Sequence, residues 1–376
     1  MRLLPALALC VACGGPRPAS TPAPTREPAR PGPVAVAVSA EHRAIRGARL
    51  PGGARVDLEL RDGRVVAIGT VDAALPGEDA GGRFIAPAFV DSHVHLAYWP
   101  KGQALLAGGV AAAVDLGAPL AWLDAPEVPP ALRLLASGPM ITARRGYPTR
   151  DWGADGYGHE VGGPREAAAA VDLLIEHGAA LIKLPIAGTP VLGADALRAA
   201  VERAHARGLK VASHALGDAE ARLAADVGVD VLAHTPVEPL QDATVAAWSG
   251  RAVISTLAAF GGAPSTIDNL RRLRAAGARV LYGTDLGNTR EPAISGDEIE
   301  LLRAAGLDGA AIVAAGTATP AAFWGLLDAG GGGPGALTPG GPASFLLLAA
   351  DPYLEPETLA APLAVYIAGV AQRDVR

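Results

Sequence analysis

Two patterns of hydrophobic and polar positions divide the chain. From Val34 to about Asp79, short runs alternate between apolar and polar residues and are broken by Gly and Pro, as in ARVDLEL and RVVAIGTV. This alternation predicts antiparallel strands and no helix. From Arg83 onwards, apolar strands alternate with helical segments rich in Ala, Leu and Arg, a pattern typical of parallel β/α units.

Eight candidate strands belong to these β/α units. They are Phe84 to Val90, Val110 to Leu116, Leu132 to Ser137, Leu181 to Ile186, Lys210 to His214, Val229 to His234, Ala252 to Leu257 and Arg279 to Asp285. The clearest helices are predicted at Pro164 to His177, Asp195 to Arg207 and Thr266 to Ala276. Eight units over roughly 240 residues match the usual size of a (β/α)8 barrel.

The C-terminal part of the chain returns to strand-like segments. After about Gly330, the glycine-rich break GGGGPGALTPGGPAS precedes FLLLAADPYL and AVYIAGV. The simplest interpretation is that the two ends of the chain meet in one small β domain. The predicted fold is therefore α/β, with a (β/α)8 TIM-type barrel over residues 83–329 and a small β-sandwich domain formed by residues 34–82 and 330–376.

Composition narrows the class of protein. The chain has 376 residues, of which 50% are hydrophobic and 19% charged, as expected of a compact enzyme. Its net charge is −6 without any basic run, so we expect a small-molecule substrate and no nucleic-acid partner. Cys10 and Cys13 are its two cysteines, so a metal site in the folded body would use His, Lys, Asp or Glu. A homo-oligomer is left open.

The N-terminus predicts export. MRLLPALALCVACGG has one positive charge at Arg2, a short apolar stretch and small residues before Cys13, which is typical of a secretory signal. Residues 1–12 resemble a bacterial lipoprotein signal, in which Cys13 receives the lipid. Ordinary cleavage nearby, or an apolar start without function, are the alternatives. Residues 13–33 form a Pro-rich linker, so we expect a periplasmic or cell-envelope lipoprotein attached to the membrane by an N-terminal lipid anchor.

Two histidines follow the first predicted barrel strand. In β/α barrels the reactive groups lie at the carboxyl ends of the strands, and the first strand ends in DSHVHL. Because side chains alternate along a strand, His93 and His95 point to the same side. The pair is therefore a candidate for two metal-binding nitrogens, although two hydrogen-bonded histidines at a strand end would look the same.

A lysine lies within the fourth predicted strand, LIKLPI. An ammonium group is costly there unless it is neutralised or paired. The chain contains three lysines, Lys101, Lys183 and Lys210, and otherwise uses arginine as its cation. Lys183 therefore indicates amine chemistry that arginine cannot perform, with an ion-paired side chain as the alternative.

Further strand ends carry His214 in VASHALGD, His234 in VLAHTP and Asp285 in VLYGTDLGN. Asp285 alone would also be explained as the cap of the next helix. The complete order, His-x-His, Lys, His, His, Asp, is much more specific than any single motif in it. It predicts one polar cluster at the mouth of the barrel.

This order resembles the amidohydrolase superfamily, close to its imidazolonepropionase-like and prolidase-like members. The resemblance covers residues 34–376 and is carried by APAFVDSHVHL, AALIKLPI, SHALGD, LAHTP and YGTDLGN. It implies that His93, His95 and Asp285 hold one divalent metal ion, that His214 and His234 hold a second, and that Lys183, carboxylated by carbon dioxide, bridges them. Zinc is the expected metal, although iron, manganese or cobalt would also fit such ligands.

The resemblance also implies a reaction. A metal-bridged hydroxide would cleave a carbon–nitrogen bond in an amide, cyclic amide or peptide, with Asp285 as general acid and base. A lactonase or phosphotriesterase is an alternative, because the same ligands activate water against esters. A weaker alternative is a catalytically silent, lipid-tethered ligand-binding protein, which would have no need of Lys183 and Asp285.

The long connection between the third and fourth strands is the candidate substrate loop. Its stretch ITARRGYPTRDWGADGYGHE contains several polar and aromatic side chains: Arg144, Arg145, Tyr147, Arg150, Trp152, Tyr157 and His159. Long loops on the active face of a barrel usually carry specificity. An arginine there could bind the carboxylate of an N-acyl amino acid or dipeptide, and a solvated surface loop is the alternative.

Overall fold

A computed structural model of the chain describes residues 41–374. The predicted signal over residues 1–12, the lipidation site Cys13 and the linker over residues 13–33 lie outside the described residues. Within the described part, no helix combines the length and the apolar character needed to cross a bilayer.

One mixed sheet joins both ends of the described chain. Its strands are β1 (Arg43–Arg49), β2 (Arg55–Arg61), β3 (Arg64–Gly69), β4 (Gly77–Asp79), β5 (Phe84–Pro87), β16 (Phe345–Leu348), β17 (Ala364–Ile367) and β18 (Val370–Asp374). The order is β18-β17-β16-β5-β1-β2-β3, and β4 pairs with β1. The alternation seen in the sequence buries Leu58 and Leu60 of β2 against the core of this sheet. The hydrogen-bonded path is continuous, whereas a sandwich of two sheets was predicted.

The prediction of Phe84 to Val90 as one barrel strand is wrong. Residues Phe84–Pro87 form β5 of the mixed sheet, and Phe89–Val94 form β6 of a parallel sheet. Between them, the amide of Ala88 donates to the carbonyl of Ser344 at 3.0 Å. The mixed sheet thus extends to Pro87, beyond the predicted boundary at residue 82. FIAPAFV is apolar throughout, so its hydrophobic pattern could not locate the change of sheet.

The parallel strands form three groups. A three-stranded sheet contains β6, β7 (Val110–Asp115) and β8 (Arg133–Ala136), and a two-stranded one contains β9 (Met140–Ala143) and β10 (Gly158–Val161). A five-stranded sheet contains β11 (Ile182–Pro185), β12 (Val211–His214), β13 (Val231–Leu232), β14 (Ala252–Ile254) and β15 (Arg279–Leu281). β6 and β7 are buried along their whole length, as expected of parallel strands covered on both faces.

The helices are α1 (Gly102–Ala107), α2 (Leu120–Asp124), α3 (Pro164–Glu176), α4 (Ala194–Ala206), α5 (Asp218–Asp226), α6 (Asp242–Ala247), α7 (Pro264–Ala275), α8 (Gly296–Ala304), α9 (Gly309–Gly316) and α10 (Ala318–Phe323). Short 3-10 turns lie at Ala258–Phe260 and Pro356–Ala360. The three helices predicted most clearly correspond to α3, α4 and α7, within two residues at each end. In α4, Leu197, Ala200, Val201 and Ala204 are buried, which is the helical spacing that the sequence pattern indicated.

Two short strands lie within the predicted substrate loop. β9 and β10 pair in parallel, with His159 opposite Ile141. The prediction treated this stretch as a loop without strands. The pairing brings both ends of the intervening segment together and so limits where its side chains can point.

Candidate metal centre

The carboxyl ends of the parallel strands carry the predicted ligands. His93 lies in β6, Lys183 in β11 and His214 at the end of β12. His95, His234 and Asp285 follow β6, β13 and β15 within a few residues. All of these side chains line a single pocket of about 230 Å³: His93, His95, Lys183, His214, His234 and Asp285.

The tightest group in the pocket consists of His93, His95 and Asp285. The Nε2 atoms of the two imidazoles are 3.2 Å apart. Asp285 Oδ1 lies 3.4 Å from His93 Nε2 and 3.2 Å from His95 Nε2. All three side chains are buried, and their ligand atoms lie within 4.8 Å of one another. Two nitrogens and one carboxylate oxygen that converge in this way form a candidate metal site.

The other two histidines adjoin this group. The ring centres of His93 and His234 are 4.5 Å apart, and those of His214 and His234 are 4.8 Å apart. Lys183 is in register with Ala212 on β12, two residues before His214. The pocket therefore holds a continuous row of nitrogen groups beside one carboxylate.

Backbone and hydroxyl contacts orient two of the rings. His93 Nδ1 lies 2.8 Å from the carbonyl oxygen of Ala233, and because a carbonyl only accepts, Nδ1 must carry the proton. The lone pair of His93 is then on Nε2, which faces the pocket. His234 Nδ1 lies 3.0 Å from Thr256 Oγ1, which turns the opposite side of that ring towards the pocket. Contacts of this kind fix the orientation of metal-binding histidines.

Asp285 reaches the pocket through an unusual backbone conformation. Its φ of 56° lies in the left-handed region, where non-glycine residues are uncommon and aspartate is one of those enriched. Asn288 Nδ2 donates to Asp285 Oδ1 at 3.0 Å. Gly287 has a φ of 117°, and a Cβ there would lie 2.8 Å from the Cβ of His95. The turn after β15 therefore needs glycine to bring Asp285 close to the histidines.

Burial controls the protonation of this cluster. It lowers the pKa of Lys183 from 10.5 to about 7, against the opposing effects of Asp285 and Asp115. It also lowers the pKa of His214 to about 3. Burial alone would raise the pKa of Asp285, but the neighbouring His93 and His95 outweigh it and lower this pKa to about 2. Burial likewise lowers the pKa values of His93 and His234, so near pH 7 these two imidazoles and that of His214 are neutral and Asp285 is anionic, the protonation states that metals require.

Two buried aspartates behind the ligands were not predicted. Asp91 Oδ1 accepts from the amides of His93 at 3.0 Å and Thr284 at 3.1 Å, and Asp91 Oδ2 accepts from Thr284 Oγ1 at 2.6 Å. Asp115 Oδ2 accepts from the amide of Leu96 at 2.6 Å. Asp91 therefore joins β6 to the segment that precedes Asp285. Its spacing of two from His93 in DSHVH was the available sequence signal.

The outer wall of the pocket is aromatic. Tyr147 and Trp152 come from the segment between β9 and β10, and Phe260 comes from the 3-10 turn after β14. Trp152 Nε1 donates to the hydroxyl oxygen of Tyr147 at 2.8 Å. Met140, Ala259 and Asn288 complete the lining. No sequence signal pointed to Phe260.

The structure brings only two of the candidate substrate-loop residues to the pocket. Tyr147 and Trp152 line it, whereas the others do not: Arg144, Arg145, Arg150, Tyr157 and His159. The three arginines are exposed, and Arg144 pairs with Glu166 at 3.1 Å. Tyr157 is buried behind Trp152, with their ring centres 5.2 Å apart.

The structure thus combines an α/β fold with a buried His-His-Asp group that could hold a metal ion. Residues 84–371 match the sequence model of the amidohydrolase family, and the chain belongs to that family. The predicted superfamily is thus confirmed, and membership in this family supports the prediction of a hydrolase.

Relatives support this assignment. An adenine deaminase of Deinococcus deserti is 30% identical over an alignment of 311 residues that covers 78% of this chain and 53% of that protein. The chain therefore spans about half the length of this curated relative.

Solved structures share the fold. A Xaa-Pro dipeptidase with bound methionine in its active site has a TM-score of 0.74 at 17% identity, covering 88% of this chain and 99% of that one. The ochratoxinase of A. niger has a TM-score of 0.69 at 18% identity, covering 89% and 96%. At these identities the likeness concerns the fold alone, and it confirms an α/β fold of the amidohydrolase type.

Proposed function

We propose that the protein hydrolyses a carbon–nitrogen bond, in an amide, cyclic amide or peptide, with two divalent metal ions held in this pocket. The observation that carries the proposal is the convergence of His93, His95 and Asp285 within 4.8 Å, with Lys183, His214 and His234 lining the same pocket. A pocket used only for binding would not need this set of ligands.

The donor atoms fit metal ions. His93 and His95 bring their Nε2 atoms to 3.2 Å, a contact that two imidazoles keep more readily when a cation draws on both lone pairs. We assign His93, His95 and Asp285 to one metal, His214 and His234 to the second, and Lys183 to both. Zinc suits these imidazole and oxygen donors best.

Lys183 would act as a bridge only after a chemical change. Its amine nitrogen adds to carbon dioxide and releases one proton, which leaves an anionic carbamate with two oxygen donors. A pKa lowered to about 7 makes the neutral amine available near neutral pH. The carbamate also replaces a buried cation, which is costly next to bound metals, by an anion that they stabilise.

Asp285 is the proposed proton carrier. Bound metal ions would lower the pKa of water and polarise the substrate carbonyl. Asn288 holds Asp285 Oδ1, and we assign Oδ2 to accept the proton of the attacking water and return it to the leaving nitrogen. A pKa of about 2 keeps Asp285 ionised near neutral pH, and the ionised form is the one that can accept a proton.

Tyr147 is the proposed donor to the substrate carbonyl. An indole N–H only donates, so the Tyr147 oxygen accepts from Trp152, and the phenolic proton remains free to point elsewhere. The Tyr147 ring lies 5.0 Å from that of His214, and the residue lines the pocket. Its hydroxyl can therefore stabilise the negative charge that develops on a carbonyl oxygen during attack.

We further propose that the three-stranded and five-stranded parallel sheets form one closed (β/α)8 barrel. Two sets of contacts between the sheets support this. The amide of Ser92 donates to the carbonyl of Tyr282 at 2.9 Å, and the amide of Ala180 donates to the carbonyl of Ala136 at 2.9 Å. Strand order would then bring every proposed ligand to one mouth of the barrel.

Metal analysis combined with turnover tests the function. The purified protein is expected to hold about two divalent ions per chain and, when loaded with zinc, to hydrolyse members of a panel of amides, cyclic amides and dipeptides. His214→Ala should lose metal and activity. His205→Ala, an exposed histidine paired with Asp230 on the protein surface, is the matched control and should keep both. Protein without metal and without turnover, or turnover of lactones and phosphotriesters alone, would contradict the proposal.

A further inference from the structure

We infer that the substrates are uncharged carbon–nitrogen compounds that carry a flat apolar group, and that compounds with a free carboxylate on that group are poor substrates. This inference rests on the proposed function and deepens it. It opposes the expectation, drawn from the arginine-rich loop sequence, that a substrate carboxylate is bound.

Flat apolar side chains border the metal ligands on two sides. The ring centres of Trp152 and His95 are 5.2 Å apart, and those of Phe260 and His234 are 5.0 Å apart. Tyr147 extends the side formed by Trp152, and Met140 adds an apolar surface. A planar ring attached to the scissile bond would therefore contact aromatic faces while its carbonyl lies near the ligands.

Trp152 is held in this position by several contacts. Its indole N–H donates to Tyr147, and its ring packs against Tyr98 and Tyr157 with centres 5.7 Å and 5.2 Å apart. A preorganised aromatic wall of this kind binds a flat ligand without first losing side-chain freedom. Trp152 is therefore the proposed specificity residue.

None of the described residues that line this pocket carries a guanidinium group. Arg145 and Arg150 are exposed and do not line it, and Arg144 pairs with Glu166 at the surface. Arg290 lies 4.9 Å above the ring of Trp99 and lines a separate cavity. Among the described residues that line the pocket, Lys183 is the one basic side chain besides the histidines, and the proposed function already assigns it to the metals.

A carboxylate on the flat group would lie at the aromatic wall, away from the scissile bond and the proposed metal ions, where the described lining offers it no cationic partner. Recognition of a carboxylate usually relies on a bidentate arginine contact, and an unpaired charge removed from water is strongly disfavoured. A neutral ring, in contrast, loses little by leaving water and gains contact with Trp152 and Phe260.

Two matched pairs of compounds test the inference on the zinc-loaded protein. For turnover, 4-methylacetanilide is compared with 4-acetamidobenzoate, which differ by one carboxylate. For binding, the ketones 4-methylacetophenone and 4-acetylbenzoate have the same shapes but no bond to cleave, and tryptophan fluorescence reports their dissociation constants. The neutral amide should be turned over at least about tenfold faster than the carboxylated one, and the neutral ketone should have a dissociation constant at least about tenfold lower. A factor of this size is expected when one charged group is left without a partner.

Variants identify the residues responsible. Trp152→Ala should weaken binding of the neutral ketone by about fivefold, while Trp152→Phe, which keeps a flat ring, should change it by less than about twofold. Trp122→Ala, on α2 and outside the pocket lining, is the matched control. Arg145→Ala and Arg150→Ala should leave both ketones unaffected.

The outcomes separate this inference from the proposed function. Equal or tighter binding of the carboxylated ketone, or its weakening by Arg145→Ala or Arg150→Ala, overturns the inference even where hydrolysis is observed. Preference for the neutral ketone without turnover of any carbon–nitrogen compound supports the selectivity and contradicts the proposed hydrolysis.

Discussion

His93 and Asp285 are joined through both backbone and side chain. The amide of Asp285 donates to the carbonyl of His93 at 2.8 Å, and Asp285 Oδ1 lies 3.4 Å from His93 Nε2. The buried Asp91 connects the same two segments, because its carboxylate accepts hydrogen bonds from the amides of His93 and Thr284. The distance between these two proposed ligands is therefore determined by hydrogen bonds between β6 and the turn after β15, which is how a precise metal site is built.

Asp285→Asn should lower kcat by roughly 10²- to 10⁴-fold, because the amide cannot accept the proton of the attacking water. Its shape is retained, so the protein should fold. Steady-state kinetics with elemental analysis on the same preparation would separate lost proton transfer from lost metal. Asp297→Asn, an exposed carboxylate at the start of α8, is the control and should behave as wild type. Full activity of Asp285→Asn would exclude the assigned role.

Lys183→Met should reduce the metal content by about half, because the bridging anion can no longer form. In metal-free protein, the same change should raise the free energy of unfolding near pH 7. The lowered pKa of Lys183 means that the unfolded chain binds its proton more tightly, so the folded state loses stability as pH falls from 10.5 towards 7. Urea unfolding at pH 7 and pH 10 measures this effect. The difference in the free energy of unfolding between variant and wild type should be smaller at pH 10 than at pH 7. Lys101→Met, at an exposed lysine, is the control.

Tyr147→Phe should lower kcat by about 10²-fold with little change in KM, because the hydroxyl is proposed to act on the charge of the transition state. Trp152→Phe removes the hydrogen bond that orients this hydroxyl but keeps the hydroxyl itself, so its kcat should fall less than that of Tyr147→Phe. Tyr98→Phe, on the same aromatic wall but not lining the pocket, should retain wild-type kcat. A change in KM alone for Tyr147→Phe would instead indicate a binding role.

Glu298 gives a pH dependence that does not involve the metal ligands. It is fully buried on α8, and its carboxylate accepts from the amides of Leu257 at 3.0 Å and Ala258 at 2.8 Å. Burial raises its pKa from 4.5 to about 7. The folded state therefore binds this proton more tightly, and its contribution to stability is complete below pH 4.5 and lost as pH rises through about 7.

The corresponding measurement compares wild type with Glu298→Gln by urea unfolding at pH 5 and pH 8. The stability of wild type relative to the variant should fall by up to about 3 kcal/mol over this range, since the amide does not titrate. Glu300→Gln, exposed on the same helix, should show no such change. If the free energies of unfolding of wild type and Glu298→Gln differ by the same amount at both pH values, the raised pKa is contradicted.

The sequence by itself determined the α/β class, the three long helices and the strand ends that carry His93, His95, Lys183, His214, His234 and Asp285. These features follow from local rules, because periodicity defines each element and parallel strands present their carboxyl ends together. Lys183 between apolar neighbours was itself a signal, since burying an amine is costly.

Tertiary structure decided the remaining features. FIAPAFV is apolar in both of its sheets, so only strand pairing located the change at Ala88. The segment between β9 and β10 contains arginines and aromatic residues alike, yet Tyr147 and Trp152 enter the pocket and the arginines face solvent. Phe260 lies in a 3-10 turn whose first amides donate to Glu298, about 40 residues later in the chain. Such orientations result from contacts between distant segments, which no local pattern in the sequence contains.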